Sequence, residues 1–363
     1  MTSLFKPVLL GKKTLKNRMV MAPLTRGRAN ETGVPSELMA EYYRQRASAG
    51  LIIAEATAVS KDGRGWLNSP GMFNDEQQQG WKKIADAVHQ ASGTIFVQLW
   101  HMGGAVHPDF LDGETPVSSS AVQLAGQLPT PKGRDRQFVK PRSLSIDEIS
   151  VQVDNFTNAA RRAIDAGLDG VEIHAANGFL IDQFTRDSSN QRHDIYGGSI
   201  NNRLRFMMDV VTAVCNEIGP DKVGIRLSPT NKVWGISDSQ YRETFTQAVQ
   251  QLDRFGLAYL HLLEPKPVPE SGVETLDYLT PELRKQYTGY LIVNGGYNKT
   301  SAERVLQAGM ANGVAFGMPF IANPDLVERY QHDLVLASPD ATRFYSQGAQ
   351  GYTDYPRLLS NGN

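Results

Sequence analysis

Two side chains able to donate hydrogen bonds, His174 and Asn177, stand three residues apart in the segment EIHAANGFLIDQF (172–184). Donors at that spacing beside an apolar run suit the holding of an anion or a carbonyl oxygen. Phe179 follows two positions later and has no proton to give. Other polar and aromatic residues recur wherever a short apolar run ends. Pro23, Leu24 and Thr25 follow MVMA, Ala56 ends LIIAEA, and Gln98 and Trp100 close TIFVQLW. Arg226 lies near the end of VGIRL. The last two runs lead into glycine, with Gly295, Gly296 and Tyr297 in NGGY and Gly317 and Met318 in FGM.

The elements that must position these residues are short β-rich runs alternating with longer segments of helical period. Strands are expected at 19–22, 51–56, 94–99, 170–174, 223–227, 258–263, 290–295 and 313–317. Most are continuous apolar runs, as parallel strands buried on both faces require. Helices are expected at 36–49, 76–91, 147–166, 201–218, 238–255, 280–287 and 299–308, with Ser36, Asn74, Ser145, Ser237 and Thr280 as N-caps. Eight strands interleaved with helices in one α/β chain predict a closed (β/α)8 TIM barrel forming a single domain over 1–363. One connection is out of proportion: the stretch 101–142 after the third strand, rich in Gly, Pro and Ser, reads as a lid or capping excursion.

Composition narrows the function. The 37 basic and 38 acidic residues leave a net charge of −1, which gives no reason to expect nucleic acid or an anionic membrane as partner. No apolar run approaches the ~20 residues of a membrane span, and the first residues contain no apolar leader, so a cytoplasmic protein is expected. The lone cysteine, Cys215, excludes an internal disulfide framework and a multi-thiolate metal site. It falls in an amphipathic helical stretch and reads as a buried structural thiol. No metal is expected.

In a barrel, the active site forms where strands end at the C-terminal face, and glycine-rich turns after strands seven and eight commonly bind phosphate. Gln98 and Arg226 can reach a planar ring lying across the barrel mouth. A phosphate-bearing heterocycle fits both ends of that site, and FMN fits best. The chain also resembles the old yellow enzyme family of FMN-dependent ene-reductases, nearly end to end. The resemblance is carried by GVEIHAANGFLIDQF with SSNQRHDIYGGSINNRLRF, and by IRLSP, AFGMPFIANPDL and GYTDYP, all in order on one barrel.

This resemblance implies non-covalent FMN reduced by NADPH or NADH, which then reduces activated C=C bonds of α,β-unsaturated carbonyl compounds. No G-x-G-x-x-G follows a strand, consistent with the nicotinamide docking directly over the flavin. The resemblance implies Thr25 at the flavin O4, Ala56 and Gln98 at the pyrimidine edge, and Arg226 near N1, where its charge favours the reduced anion. Pro23, Leu24, Gly295, Gly296, Tyr297, Gly317 and Met318 complete the cofactor set. His174 and Asn177 become donors to the substrate oxygen, with Thr25 counted among the catalytic residues. Trp66, Trp100, Phe179 and Tyr352 become pocket walls.

Two positions depart from the family pattern. Phe179 stands where relatives carry a tyrosine that protonates the substrate, so water is expected to take over that step. Met318 stands where relatives carry an arginine on the flavin phosphate, so FMN is expected to be held less tightly. Both departures keep a second reading open, a flavin-binding protein with little alkene-reductase activity that serves as a sensor or flavin store. A phosphate-substrate aldolase would need a lysine at a strand end, and none stands there. Whether the chain is a monomer or a homo-oligomer stays open.

Overall fold

A computed structural model describes residues 3–133, 135–264 and 278–358. Eight parallel strands close into a barrel: β1 (Met19–Met21), β2 (Leu51–Ala58), β3 (Ile95–Trp100), β4 (Gly170–His174), β5 (Val223–Leu227), β6 (Tyr259–Leu263), β7 (Leu291–Asn294) and β8 (Gly313–Phe316). The β4 and β5 boundaries match the apolar runs residue for residue, and the others shift by one or two. Around them run α1 (Glu37–Gln45), α2 (Asp75–Gln90), α3 (Ile146–Asp165), α4 (Leu180–Thr185), α5 (Ile200–Ile218), α6 (Tyr241–Asp253), α7 (Thr280–Arg284), α8 (Lys299–Gln307), α9 (Met318–Ala322) and α10 (Leu326–Gln331). The expected (β/α)8 barrel is therefore present, while α4, α9 and α10 add to the helices read from the sequence.

Side chains alternate around the strands. Val171 and Ile173 of β4, with Ile225 and Leu227 of β5, face the helices in the main core. The N-terminal end of the barrel lumen is filled by Val20, Leu51, Ile53, Phe96, Tyr259 and Ile292. A hairpin, Val8–Leu10 against Lys13–Leu15, adds Leu10 and Leu15 to that cluster and plugs this end. Its turn depends on Gly11, at φ +55°, where a Cβ would lie 2.5 Å from the Asp221 carbonyl oxygen. Among the described residues, no helix is long and apolar enough to cross a membrane. Cys215 is buried in α5, and burial raises its thiol pKa to about 12.

The caps expected of Ser36, Asn74 and Ser145 form, the last as a full capping box with Glu148. Two others do not. α6 begins at Tyr241 without a side-chain cap; its N-cap position is Gln240, and Ser237 lies in the preceding loop, its N–H donating to the Ser188 hydroxyl. Thr280 is already inside α7, whose first N–H groups, those of Leu279 and Thr280, donate to the Glu264 carboxylate.

The excursion over 101–142 has structure of its own. Val117–Ser118 pairs with Arg142–Ser143, and Gln127–Pro129 forms a hairpin with Asp135–Gln137. Leu111, Leu124, Leu128 and Phe138 of this stretch share one apolar cluster with Trp100 and Phe179 at the C-terminal mouth of the barrel.

Candidate active site

Strand pairing places His174, the last residue of β4, opposite Arg226, and Arg226 opposite His261 on β6. His174 is buried, and its Nδ1 meets no partner among the described residues. Burial, with Arg226 and His261 nearby, holds its pKa well below the usual histidine value. A neutral imidazole carries one N–H, available as a donor without bringing a buried positive charge.

Beyond β4 the chain turns sharply through two left-handed residues, Asn177 at φ +58° and Gly178 at φ +75°. Asparagine tolerates that region better than most residues. The Asn177 backbone N–H donates to Ser228 Oγ at 2.8 Å. Its side-chain Oδ1 accepts from Asn231 Nδ2 at 2.9 Å. With the acceptor face of the amide engaged, the Nδ2 donor face has no partner among the described residues. Gly178 N–H is taken up by Asp182, which pairs with Arg186 in the interior. The turn is thereby fixed on both sides.

Phe179 occupies the N-cap position of α4 and supplies no capping hydrogen bond. Its ring meets three others edge-to-face: Trp100 at 4.7 Å, His174 at 4.9 Å and Trp234 at 5.3 Å between centroids. Positive ring edges on negative faces make such pairs attractive. The Trp100 and His174 rings lie nearly parallel, 8° between planes and 6.4 Å between centroids. Phe138 from the excursion packs on Trp234 in turn, at 5.3 Å. Trp66, half-buried, packs against the same cluster and tilts onto Tyr345.

The opposite half of the mouth is polar. Pairing between β2 and β3 shifts register between Ala54 and Thr57. Ala54 belongs to the helix-facing core, whereas Ala56 joins the cluster at the mouth. Glu55 beside it accepts the backbone N–H groups of Arg26 and Gly27 and the Tyr43 hydroxyl, each at 3.1 Å. That clamp holds the loop after β1 and leaves Thr25 half-buried at the rim. Gln98 Nε2 donates to Glu172 Oε1 at 2.7 Å, and Arg226 donates to Asn294 Oδ1 at 2.8 Å. At the glycine-rich ends, Leu24 lies against the place a Cβ on Gly317 would take, bringing the β1 and β8 ends together. Gly296 is exposed at φ +84°, and the Tyr297 hydroxyl meets that of Tyr278 at 3.2 Å. α9 starts directly after Gly317, anchored at its far end by the buried Arg46, which donates to the Phe320 and Ile321 carbonyls.

The fold thus gathers His174, Asn177, Phe179, Trp100 and Trp66 at one half of the mouth. Tyr352 is not brought into that aromatic cage. It is fully buried in the main core, stacked on Tyr42 at 4.0 Å, with the Arg28 guanidinium 4.5 Å from its ring centre. Met318 is 61% exposed. Sequence reasoning missed Trp234, Asn231, Glu55, Glu172, His261 and Asn294. For Trp234 there was a signal: a tryptophan in a loop directly after β5, inside NKVWGIS.

The donor set fits an FMN isoalloxazine ring. Trp100 Nε1 and Arg226 Nε are buried without partners among the described residues. Gln98 Oε1 accepts from none of them. Burying polar groups unsatisfied is costly, and a flat heterocycle rich in acceptors with one imide N–H would satisfy such a set.

Comparison with known proteins agrees with this chemistry. Residues 3–337 match the family described as NADH:flavin oxidoreductase / NADH oxidase. A rice protein, putative 12-oxophytodienoate reductase 2, is 42% identical over 359 residues, covering 98% of this chain and 94% of its own length. Chanoclavine-I aldehyde reductase from Penicillium roqueforti is 41% identical, covering 98% and 96%. Among solved structures, the old yellow enzyme homologue from Zymomonas mobilis superposes with a TM-score of 0.94 at 45% identity, covering 98% and 99%. Morphinone reductase in complex with tetrahydroNAD gives 0.94 at 43% identity, covering 100% and 99%. The chain belongs to the old yellow enzyme family, the FMN-dependent flavin oxidoreductases that draw their electrons from a reduced nicotinamide.

Proposed function

We propose that this protein reduces the activated C=C bond of α,β-unsaturated carbonyl compounds, and that water rather than a side chain completes the reduction by protonation. The observation that carries the reading is the pair of unengaged donors, neutral His174 and the Asn177 amide, beside an aromatic cage at the end of β4. FMN, held across the mouth by Gln98 and Arg226, would supply the hydride chemistry when bound, with NADPH or NADH as the electron source and the alkene carbon β to the carbonyl as the acceptor. His174 and Asn177 hold the substrate oxygen and stabilise the negative charge that grows on it. Because Asn231 and Ser228 fix the Asn177 turn beforehand, little reorganisation is spent during the reaction.

Trp100, Trp234 and Phe179 form an apolar wall that suits a flat, conjugated substrate. Gln98 and Arg226 are the residues for the flavin pyrimidine edge, with Thr25 and Ala56 beside it. Gly295, Gly296, Tyr297, Gly317 and Met318 form the phosphate end, and Pro23 and Leu24 line the ring. Phe179 excludes water from one side of the pocket and holds no transferable proton, so the α-carbon takes its proton from solvent. Relatives named for 12-oxophytodienoate and morphinone support a carbonyl-bearing small molecule as substrate.

The test is anaerobic oxidation of NADPH and of NADH by the FMN-loaded protein on addition of 2-cyclohexenone, with product analysis. Stoichiometric cyclohexanone supports the reading. Flavin reduction by nicotinamide without alkene reduction would instead support the second reading, a flavin store or sensor, which the proton-free Phe179 and the exposed Met318 favour.

A further inference from the structure

Below the mouth lies a charged group that the reaction does not use directly. Glu172 of β4 is fully buried in the lumen, two residues beneath His174. Its Oε1 accepts Gln98 Nε2–H at 2.7 Å, and its Oε2 meets His261 Nδ1 at 2.8 Å. Both partners are buried, and Glu172 acts electrostatically on Arg226 as well. Gly224, opposite Glu172 on β5, has no side chain, and the Tyr259 ring fills the space its Cβ would occupy. A carboxylate enclosed this way is expensive unless each oxygen is satisfied.

We propose that Glu172 is a positioning residue for the flavin, fixing the Gln98 amide and offsetting the Arg226 charge, and thereby setting FMN affinity and reduction potential. This rests on the reading that Gln98 and Arg226 hold the pyrimidine edge. An amide has one donor end and one acceptor end. With Nε2 committed to Glu172, Gln98 presents Oε1 upward, which is the acceptor a flavin imide N–H requires. With Glu172 gone, the amide is free to turn and set donor against donor. The second effect is electrostatic. Arg226 favours the reduced, anionic flavin, and a buried negative charge near it weakens that preference, since opposite charges inside a protein are poorly screened. His261 contributes through Glu172: its Nδ1–H occupies Oε2 and leaves Oε1 to Gln98.

Two substitutions in the FMN-loaded protein separate these effects. Glu172→Gln keeps an acceptor for Gln98 and removes the charge, so reduced FMN gains over oxidised FMN. The ratio of the two affinities is expected to rise roughly tenfold, a positive shift of about 30 mV for a two-electron couple. Glu172→Asp keeps the charge and is too short to span Gln98 and His261. It is expected to weaken oxidised FMN about tenfold, and the loss should be largely absent when Gln98→Ala is already present, a coupling that a double-mutant cycle reads directly. A folded Glu172→Gln protein with an unchanged potential overturns the charge effect. Additive losses for Glu172→Asp and Gln98→Ala overturn the alignment, and that arm also serves if Glu172→Gln does not fold. Should Gln98→Ala alone bind FMN like the parent protein, the placement of the pyrimidine edge fails and the alignment falls with it, while the charge effect is still decided by the Glu172→Gln potential.

Discussion

The Phe179 ring stands edge-on to the Trp100 indole, 4.7 Å between centroids and 74° between planes. At the position proposed to lack a proton donor, this protein puts a hydrocarbon edge into an aromatic contact. Phe179→Tyr would restore an acid at the mouth. General acid catalysis is worth ~10²–10⁴-fold where proton transfer limits the rate. The gain is therefore expected on weakly activated enones and should be small on strongly activated ones such as maleimides. Steady-state turnover on one substrate of each kind checks this, and equal rate changes on both would sink the proton-deficit idea.

His174 and Asn177 differ from Phe179 in that their loss should damage every substrate alike. Removing one preorganised donor from an oxyanion site typically costs ~2.7–4 kcal/mol, or 10²–10³-fold. His174→Ala and Asn177→Ala are each expected to lower kcat/KM for enones by that factor while FMN content stays at the parent level. Asn231→Leu should give a smaller loss, since it frees the Asn177 amide to rotate without removing it. A loss of flavin in these variants would relocate both residues to the cofactor site.

Acid sensitivity follows from the buried imidazoles. The pKa values of His174 and His261 are lowered, chiefly by burial. Unfolded, both titrate near 6.5. Below that pH the unfolded chain binds protons that the native protein refuses, so stability is complete above about pH 6.5 and declines as pH falls toward the native pKa values. The slope can reach about 1.4 kcal/mol per pH unit for each histidine. Thermal midpoints measured from pH 7.5 to pH 5 should fall, and the fall should be shallower in His174→Asn.

How much of this was legible in the sequence depended on whether the deciding contact was local. β4 and β5 were readable to the residue because GVEIH and VGIRL are apolar, bounded runs whose neighbours break the pattern. α4 was not, because LIDQFT is too short to display a helical period and begins on a hydrophobic residue instead of a polar cap. The expected cap at Thr280 failed because the Glu264 carboxylate takes its hydroxyl and N–H, and that at Ser237 because α6 starts later, with Gln240 at its N-cap position. The strand-end residues His174, Gln98 and Arg226 emerged from pattern and resemblance together. The partners did not: Glu172 reaches Gln98 across 74 residues of chain and Asn294 reaches Arg226 across 68, while Asn231 holds Asn177 across 54 and His261 holds Glu172 across 89. Tyr352 sits in GYTDYP as expected, yet its stacking on Tyr42 depends on α1, which no spacing reveals.

Met318 exposes its thioether to solvent at the start of α9, and on the proposed placement of FMN a guanidinium there would meet the phosphate. Met318→Arg is expected to tighten FMN. A hydrogen bond to a charged group is worth ~1.5–3 kcal/mol. At so exposed a position the lower end applies, roughly a tenfold drop in Kd, and it should diminish as salt is raised. Titration of the apoprotein with FMN, followed by quenching of flavin fluorescence at two ionic strengths, gives both numbers. Riboflavin, without the phosphate, should bind the variant and the parent equally. An equal gain for riboflavin would show that the new side chain acts on the ring, not on the phosphate.

Trp234 links the excursion to the reaction pocket. Its carbonyl accepts Ala125 N–H at 2.9 Å, and its ring stands between Phe179 and Phe138. It holds this place at φ +53°, a backbone region that costs a bulky residue energy. The ring contacts offset that cost, so Trp234→Ala should loosen the excursion locally while the barrel stays intact. Phe138 N–H, bonded to the Gly126 carbonyl at 3.1 Å, is the reporter. Its hydrogen exchange should speed up about tenfold in the variant, with amides of β4 and β5 unchanged. The pocket loses a wall at the same time. KM for small enones should rise more than kcat falls, and a bulkier cyclic enone should be accepted better than by the parent. Faster exchange at Phe138 without any change in substrate preference would make Trp234 a strut for the excursion only.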